Sequence, residues 1–244
     1  MKKLKFRKLN LITACILTAL TVGVATVCFL PNEAVLISGD NSYEPIYNGD
    51  RTGNKVCLMF NVYEGTEVVN KILDVLKEKG AKSTFFLGGC WADDNEETVI
   101  RILEEGHEIG SHGYFHKDHS KLTEDGNREE MVATENLIRK ITGEKITLFA
   151  PPSGAYSVTT LKVAEKLSYK TILWTKDTID WRDKNEKTVY NRAVRNIEAG
   201  DFVLMHPKEH TLNALPDILT YYEKIGLKAV TVSDCLNIGK NGSL

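Results

Sequence analysis

Six histidines occur in this 244-residue chain, and four of them fall between His107 and His119. His112 and His116 have H-x-x-x-H spacing, and two imidazoles four residues apart can converge on one divalent cation. Gly113 stands where an H-E-x-x-H metalloprotease carries its general base, so this is not that arrangement. The plain alternative is a pair of surface histidines. His107 lies inside an apolar run and is expected to be structural, whereas His119 is expected to face solvent. Three later segments concentrate further chemistry. Ala150-Pro151-Pro152-Ser153-Gly154 is a rigid turn able to aim backbone N–H groups at a ligand. Asp177-Thr178-Ile179-Asp180-Trp181 sets two carboxylates beside an aromatic ring, and His206-Pro207 places a titratable ring after a hydrophobic run. Each has an ordinary use as well: loop punctuation, helix capping, or a satisfied polar side chain. Cys57, Cys90 and Cys235 are widely spaced and contain no Cys-x-x-Cys, so they read as small buried hydrophobes.

The elements that would carry these residues form a regular alternation from Lys55 onward. Short β-rich runs occupy 56–60, 83–87, 107–111, 147–150, 171–174, 202–206 and 229–232. Helical patterns fill most of the gaps, at 67–79, 96–105, 128–141, 158–167, 186–199 and 212–224, and several stop at a glycine such as Gly80, Gly106 or Gly143. Strand–helix repetition builds a parallel sheet covered by helices. Seven strands in about 180 residues are tighter than an eight-fold barrel of ~250 residues. The expectation is therefore an incomplete or seven-stranded β/α barrel, with a doubly wound open sheet as the alternative. In both, ligands bind at the carboxyl ends of strands, where the unusual residues lie.

Composition adds where the chain works. It carries 31 Lys plus Arg against 33 Asp plus Glu, with 42% hydrophobic residues. That excludes a disordered polyampholyte and leaves room for one full core. Five basic residues (Lys2, Lys3, Lys5, Arg7, Lys8) precede Leu9, and Leu11–Leu30 is almost wholly apolar. Twenty residues at ~1.5 Å each span about 30 Å, the thickness of a bilayer core. Residues 1–30 are therefore expected to be a basic flank and a transmembrane helix, with the rest outside the cytoplasm. A cleaved signal peptide, giving a secreted protein, is the alternative. Residues 31–54 read as a polar linker and residues 55–244 as the folded body. Without the leader, 26 basic residues face 33 acidic ones, a balance unsuited to binding nucleic acid.

In order and spacing, Ser83-Thr84-Phe85-Phe86, Gly106-His107-Glu108-Ile109-Gly110-Ser111-His112-x3-His116, Pro151-Pro152-x-Gly154, Asp177-x-x-Asp180-Trp181 and Leu204-Met205-His206 resemble the NodB-like polysaccharide deacetylases over roughly residues 55–235. The resemblance implies a distorted seven-stranded β/α barrel. It also implies metal-dependent removal of N-acetyl groups from a cell-wall amino-sugar polymer, peptidoglycan or a chitin-like glycan. By position, His112 and His116 match two ligands of a divalent metal, zinc being the first candidate. His206 matches the catalytic acid, and Asp180 the carboxylate that keeps this histidine charged. The Pro152-Ser153-Gly154 turn matches the one whose backbone N–H helps hold the oxyanion, and Trp181 and Trp174 are candidate stacking surfaces for sugar.

The first motif departs from the family pattern Thr-Phe-Asp-Asp-Gly. Here the run is Met59-Phe60-Asn61-Val62-Tyr63-Glu64-Gly65, so Asn61 replaces the base and Val62 the third metal ligand. A sporulation-associated branch of the family also has an apolar second residue, but usually keeps the first Asp. The Arg that pairs with the base is Ala150 here, so both members of that ion pair are gone and neither is left buried alone. Glu64 is the nearest replacement for ligand or base, or else an exposed loop carboxylate. Three functions are open at this point: a deacetylase of reduced activity, a non-catalytic glycan-binding homologue, and a structural envelope protein. The retained polar residues favour the first two, and the expectation is the deacetylase class, with the non-catalytic glycan-binding homologue as the alternative.

Overall fold

The computed structural model describes residues 43–237, so the segment expected to span the membrane lies outside the described residues. Among those described, no helix is long and apolar enough to cross a membrane. The chain runs β1 (Lys55–Val62), α1 (Thr66–Glu78), β2 (Thr84–Leu87), α2 (Gly89–Asp93), α3 (Glu96–Glu104), β3 (Glu108–Ser111), α4 (Glu124–Thr142), β4 (Leu148–Phe149), α5 (Val158–Lys166), β5 (Lys170–Thr171), β6 (Lys176–Asp177), α6 (Glu186–Val194), β7 (Phe202–Met205), α7 (Glu209–Lys224), β8 (Lys228–Val230) and α8 (Val232–Cys235). Every paired strand is parallel, in the order β5-β4-β3-β2-β1-β7-β6, and β8 pairs with the first residues of β1. This is a curled parallel sheet backed by helices, consistent with a distorted β/α barrel. Each of the seven expected runs overlaps a strand, the one at 171–174 by Thr171 alone. The two-residue β6 is the addition, too short to leave a hydrophobic pattern in the chain.

Two cores result from the alternation of side chains along the strands. Val56, Leu58, Phe60 and Val62 of β1 join Phe85, Leu87, Val203 and Met205 in the larger cluster with the helices. Cys57 and Met59 join Phe86, Leu148, Ala150, Ile172, Phe202 and Leu204 in a smaller inner cluster. Helix α1 meets the outer layer through Val68, Val69, Ile72, Leu73 and Leu76, a stripe at helical spacing.

Part of the expected linker belongs to the body. Ile46 bridges Ile172, and Asn48 bridges Asp201. The Ile46 amide donates to the Thr171 carbonyl at 2.8 Å, and the Leu173 amide donates back to the Ile46 carbonyl at 2.8 Å. Arg51 pairs with the buried Asp201 at 2.8 Å. Residues 46–51 thus reach from β5 to the start of β7, on opposite sides of a seam that no long strand closes. The polar composition of 31–54 hides this, because the segment contributes backbone hydrogen bonds and one apolar side chain instead of a periodic face.

Gly110 in β3 follows the inner parity, and a Cβ there would sit 2.6 Å from the Phe86 ring and 3.1 Å from the Leu148 carbonyl oxygen. Gly110→Ala is therefore expected to lower unfolding free energy by about 1–3 kcal/mol, the usual cost of overpacking a filled core. Urea denaturation checks this; an unchanged midpoint would mean that Phe86 has room to move.

Candidate active site

Residues that continue the inner parity at or just past the carboxyl end of a strand face the cleft. Asn61 follows Cys57 and Met59, His112 follows Gly110, and His206 follows Phe202 and Leu204. They line a cavity of about 630 Å³ together with Tyr63, Glu64, His116, Ser153, Trp174, Asp177, Trp181 and Lys208. Asp180 stands behind His206. Pro152 and Gly154 shape their turn without lining the cleft.

The H-x-x-x-H loop is held by groups that no short motif reveals. Gly113 and His116 both take positive φ, at 72° and 55°, which folds the loop so that the His112 and His116 ring centroids come within 5.1 Å. The buried carboxylate of Glu130, on α4, accepts the Tyr114 and Phe115 amides at 2.8 and 2.7 Å. Its other oxygen is 3.0 Å from the Lys117 ammonium. His119 is fully buried, contrary to the expectation of a solvent-facing ring. Its Nδ1–H donates to Asn127 Oδ1 at 2.8 Å, and the Asn127 amide group donates to the carbonyls of His119, Leu122 and Thr123. His107 is buried as expected and accepts the Ser83 amide at 3.2 Å. Cys57 and Cys235 are also buried, while Cys90 is partly so.

His112 is buried, and its Nδ1–H donates to the Ala150 carbonyl at 2.7 Å, which leaves Nε2 as the free lone pair. Desolvation pushes this imidazole down to about 3, with His116 nearby adding to the shift. A neutral ring with a fixed tautomer suits metal ligation. The donor set nevertheless stops at two. Val62 is buried in the outer core, with its side chain among apolar neighbours. No group of three His, Cys, Asp or Glu side chains able to hold an ion occurs among the described residues. A hydrolytic zinc centre uses three protein ligands and an open position, so these residues do not fit one.

His206 and Asp180 are joined by two hydrogen bonds. His206 Nδ1–H donates to Asp180 Oδ1 at 2.7 Å, and Asp180 Oδ2 accepts the His206 amide and the Thr211 hydroxyl, each at 2.7 Å. His210 Nε2–H donates to the Asp180 carbonyl at 2.8 Å. Burial alone would raise the Asp180 carboxyl. The hydrogen bonds and charge of His206, with help from Thr211, outweigh it and hold the carboxyl below its ordinary value. A carboxylate hydrogen-bonded at Nδ1 fixes the ring's orientation and tautomer and leaves Nε2 as its free nitrogen.

Asn61 is 4% exposed, and its Oδ1 is enclosed without a hydrogen-bond partner. Glu64 reaches the cleft rim, but Lys208 donates to it. The Lys208 hydrogen bond and charge hold the Glu64 carboxyl below its ordinary value, a poor setting for a base. In the proline turn, the Gly154 amide donates to the Pro151 carbonyl at 2.9 Å, so that N–H is not free for an oxyanion. Gly154 itself is required, since a Cβ there would lie 2.8 Å from the Trp174 ring. Ser153, at φ 56°, is the member of the turn that faces the cleft. Trp181 also lines the cleft and is 54% exposed.

Two outcomes are expected. Glu130→Ala leaves the Tyr114 and Phe115 amides without their charged acceptor, and is expected to cost about 3 kcal/mol and broaden the His112 and His116 ring resonances by NMR. Sharp, unshifted rings would show that the loop holds itself. Asp180 has a depressed folded-state pKa, so its stabilisation is present above the unfolded value of ~3.9 and is lost as pH falls through the folded value. Asp180→Asn is therefore expected to be less stable at neutral pH and to lose less stability on acidification. Parallel stability–pH curves for the two proteins would contradict this.

A family model described as polysaccharide deacetylase matches residues 48–172. The chain is 35% identical over 194 residues to the uncharacterized protein YlxY of Bacillus subtilis strain 168, covering 80% of this chain and 61% of that one. With the first two curated relatives it matches, it spans only 61% and 64% of their length. It is 31% identical over 203 residues to a peptidoglycan-N-acetylglucosamine deacetylase of Bacillus cereus, covering 81% of this chain and 74% of that one. Among solved structures it is similar to BA3943 from Bacillus anthracis, a CE4 family pseudoenzyme, with a TM-score of 0.78 and 36% identity over 81% of this chain and 70% of that one. A mutant of BA3943 has restored enzymatic activity. On the matched domain, the shared curled sheet and these relatives, the chain belongs to the polysaccharide deacetylase family.

Proposed function

We propose that this chain holds an N-acetylated amino-sugar polymer of the cell wall in its strand-end cleft without hydrolysing it. Deacetylases of this family depend on a metal in general. The observation that carries the reading is the split site: His206 is clamped by a fully buried Asp180, while the base position is Asn61 and only two metal-type ligands remain. Removing a general base typically slows such a reaction by ~10²–10⁴, about 3–5 kcal/mol of barrier. The retained acid half, the ~630 Å³ cleft and the walls of Trp174 and Trp181 suit a sugar chain. The similarity to a pseudoenzyme supports the reading as well.

A second reading, residual deacetylation, is favoured by one observation. Asp180 is fully buried and spends both oxygens on His206 and Thr211, an arrangement with an obvious use in protonating a departing amine. The apolar run Leu11–Leu30 supports placement on the outer face of the cell membrane, with this segment as anchor. Release of the protein into the medium instead would identify the segment as a cleaved signal.

The test is acetate release and binding on the same preparation, with acetylated chito-oligosaccharides and with peptidoglycan. Binding without acetate release is expected from the native chain, and Trp181→Ala is expected to weaken binding about tenfold, the scale of one lost sugar–aromatic contact of ~1.4 kcal/mol. Acetate release that disappears in His206→Ala would replace this reading with the hydrolytic one.

A further inference from the structure

Resting on the glycan-binding reading above, we infer that Asp177 forms an ammonium subsite in the cleft, and that the preferred ligand is a sugar chain acetylated only in part. One residue of that chain sets its unsubstituted amine on Asp177 Oδ2, beside the indole walls of Trp174 and Trp181. The turn that carries Asp177 is built around a strained residue. Ile179 takes φ 53°, a value β-branched side chains seldom adopt. Asp177 Oδ1 accepts the Ile179 amide at 2.7 Å, and the Ile179 carbonyl accepts the Arg182 and Asp183 amides at 3.1 and 2.9 Å. The Thr178 amide and hydroxyl both donate to the Leu204 carbonyl, and Arg192 donates to the Thr178 carbonyl at 2.9 Å. This reversal sends Asp180 behind His206 and Trp181 to the cleft. Strain of this kind collects at ligand sites, where it orients groups before the ligand arrives.

The second oxygen of Asp177 is left over. Oδ2 has no partner among the described residues and is not enclosed, and Asp177 lines the cavity. The other charges nearby are engaged. Lys208 donates to Glu64, and Asp180 gives both oxygens to His206 and Thr211. Arg182 forks onto Asp183 at 2.9 and 3.0 Å. Burial keeps His112 and His116 uncharged at neutral pH. Among the described residues, Asp177 is thus the one carboxylate of the cavity lining without a cationic partner. A carboxylate oxygen only accepts, so its ligand must donate. A sugar amine freed of its acetyl group is largely an ammonium at neutral pH, as an α-amino group of pKa ~7.7–8.0 is. It gains more from a carboxylate than a hydroxyl or an amide N–H does. Indole faces add to the attraction, and Trp181 already has the Arg182 guanidinium 5.8 Å from its ring centre.

The experiment is calorimetric titration of the full chain, in detergent at neutral pH and low salt. The ligands are chito-oligosaccharides of equal length, one fully N-acetylated and one with alternate residues deacetylated. Native protein is expected to bind the partly deacetylated form about tenfold more tightly, the scale of one charge-assisted hydrogen bond. That advantage is expected to vanish near about pH 9.5, where the sugar amine is uncharged, a measurement that needs no variant. Asp177→Asn keeps an acceptor for the Ile179 amide and replaces Oδ2 with a neutral donor. Checked for an unchanged melting curve, it is expected to bind the two forms alike. Equal binding of both forms by native protein would overturn the ammonium subsite while leaving glycan binding intact. So would an advantage that persists in Asp177→Asn, even if both affinities fall together, since Oδ2 would then serve sugar hydroxyls. Binding of neither form would overturn the glycan reading and this one with it.

Discussion

Successive side chains of a strand point to opposite faces of its sheet, and in β1 that rule separates the residues that serve the cleft from those that serve the core. Val56, Leu58, Phe60 and Val62 pack toward the helices, while Cys57 and Met59 fill the inside of the curl and Asn61 emerges at its mouth. The same parity brings His112 and His206 to that mouth from other strands. A one-residue slip in β1 would put Val62 in the cleft and Asn61 in the apolar layer, so register is set by the need to bury the outer row. The chemistry of the site is thus downstream of packing. The valine at the ligand position does not merely lack a donor; it is part of the outer core.

Two buried carboxylates hold the mouth in shape, one on each side. Glu130 gathers the amides of the histidine loop from the helix behind it, and Asp180 gathers His206 from the neighbouring loop. A buried carboxylate is tolerated only when hydrogen bonds and positive charge offset its desolvation. Both meet that condition, with three hydrogen bonds on Asp180 and two amides plus the Lys117 ammonium on Glu130. Position 61 carries no carboxylate, yet the scaffold that aims the cleft histidines is intact.

Several parts of this arrangement were legible before folding was considered. The strand–helix alternation placed seven β-runs, the motifs placed His112, His116, Asp180 and His206 at strand ends, and the absence of an aspartate at position 61 was plain. Other parts left no local mark. Glu130 and Asn127 lie on a helix whose sequence looks like any solvated surface, and the loop groups Tyr114, Phe115 and His119 that they hold are 8 to 16 residues away. His119 looked like a surface ring because its neighbours Lys117, Asp118 and Lys121 are charged, whereas the fold turns it against Phe149. The strap at 46–51 and the two-residue β6 make their contacts through backbone, which composition does not encode.

The amino-acid sequence by itself determined the class of fold, the family motifs and the absence of an aspartate at position 61, because hydrophobic periodicity and residue identity are local properties. Tertiary structure alone decided what those residues mean together. It set Val62 into the core and left Asn61 Oδ1 unpaired at the cleft. It tied Glu64 to Lys208, which lies more than a hundred residues away in the chain, and clamped His206 on a buried Asp180. The physical reason is that pairing, burial and desolvation depend on which chain segments meet, and a parallel β/α sheet brings together strand ends that are distant in sequence.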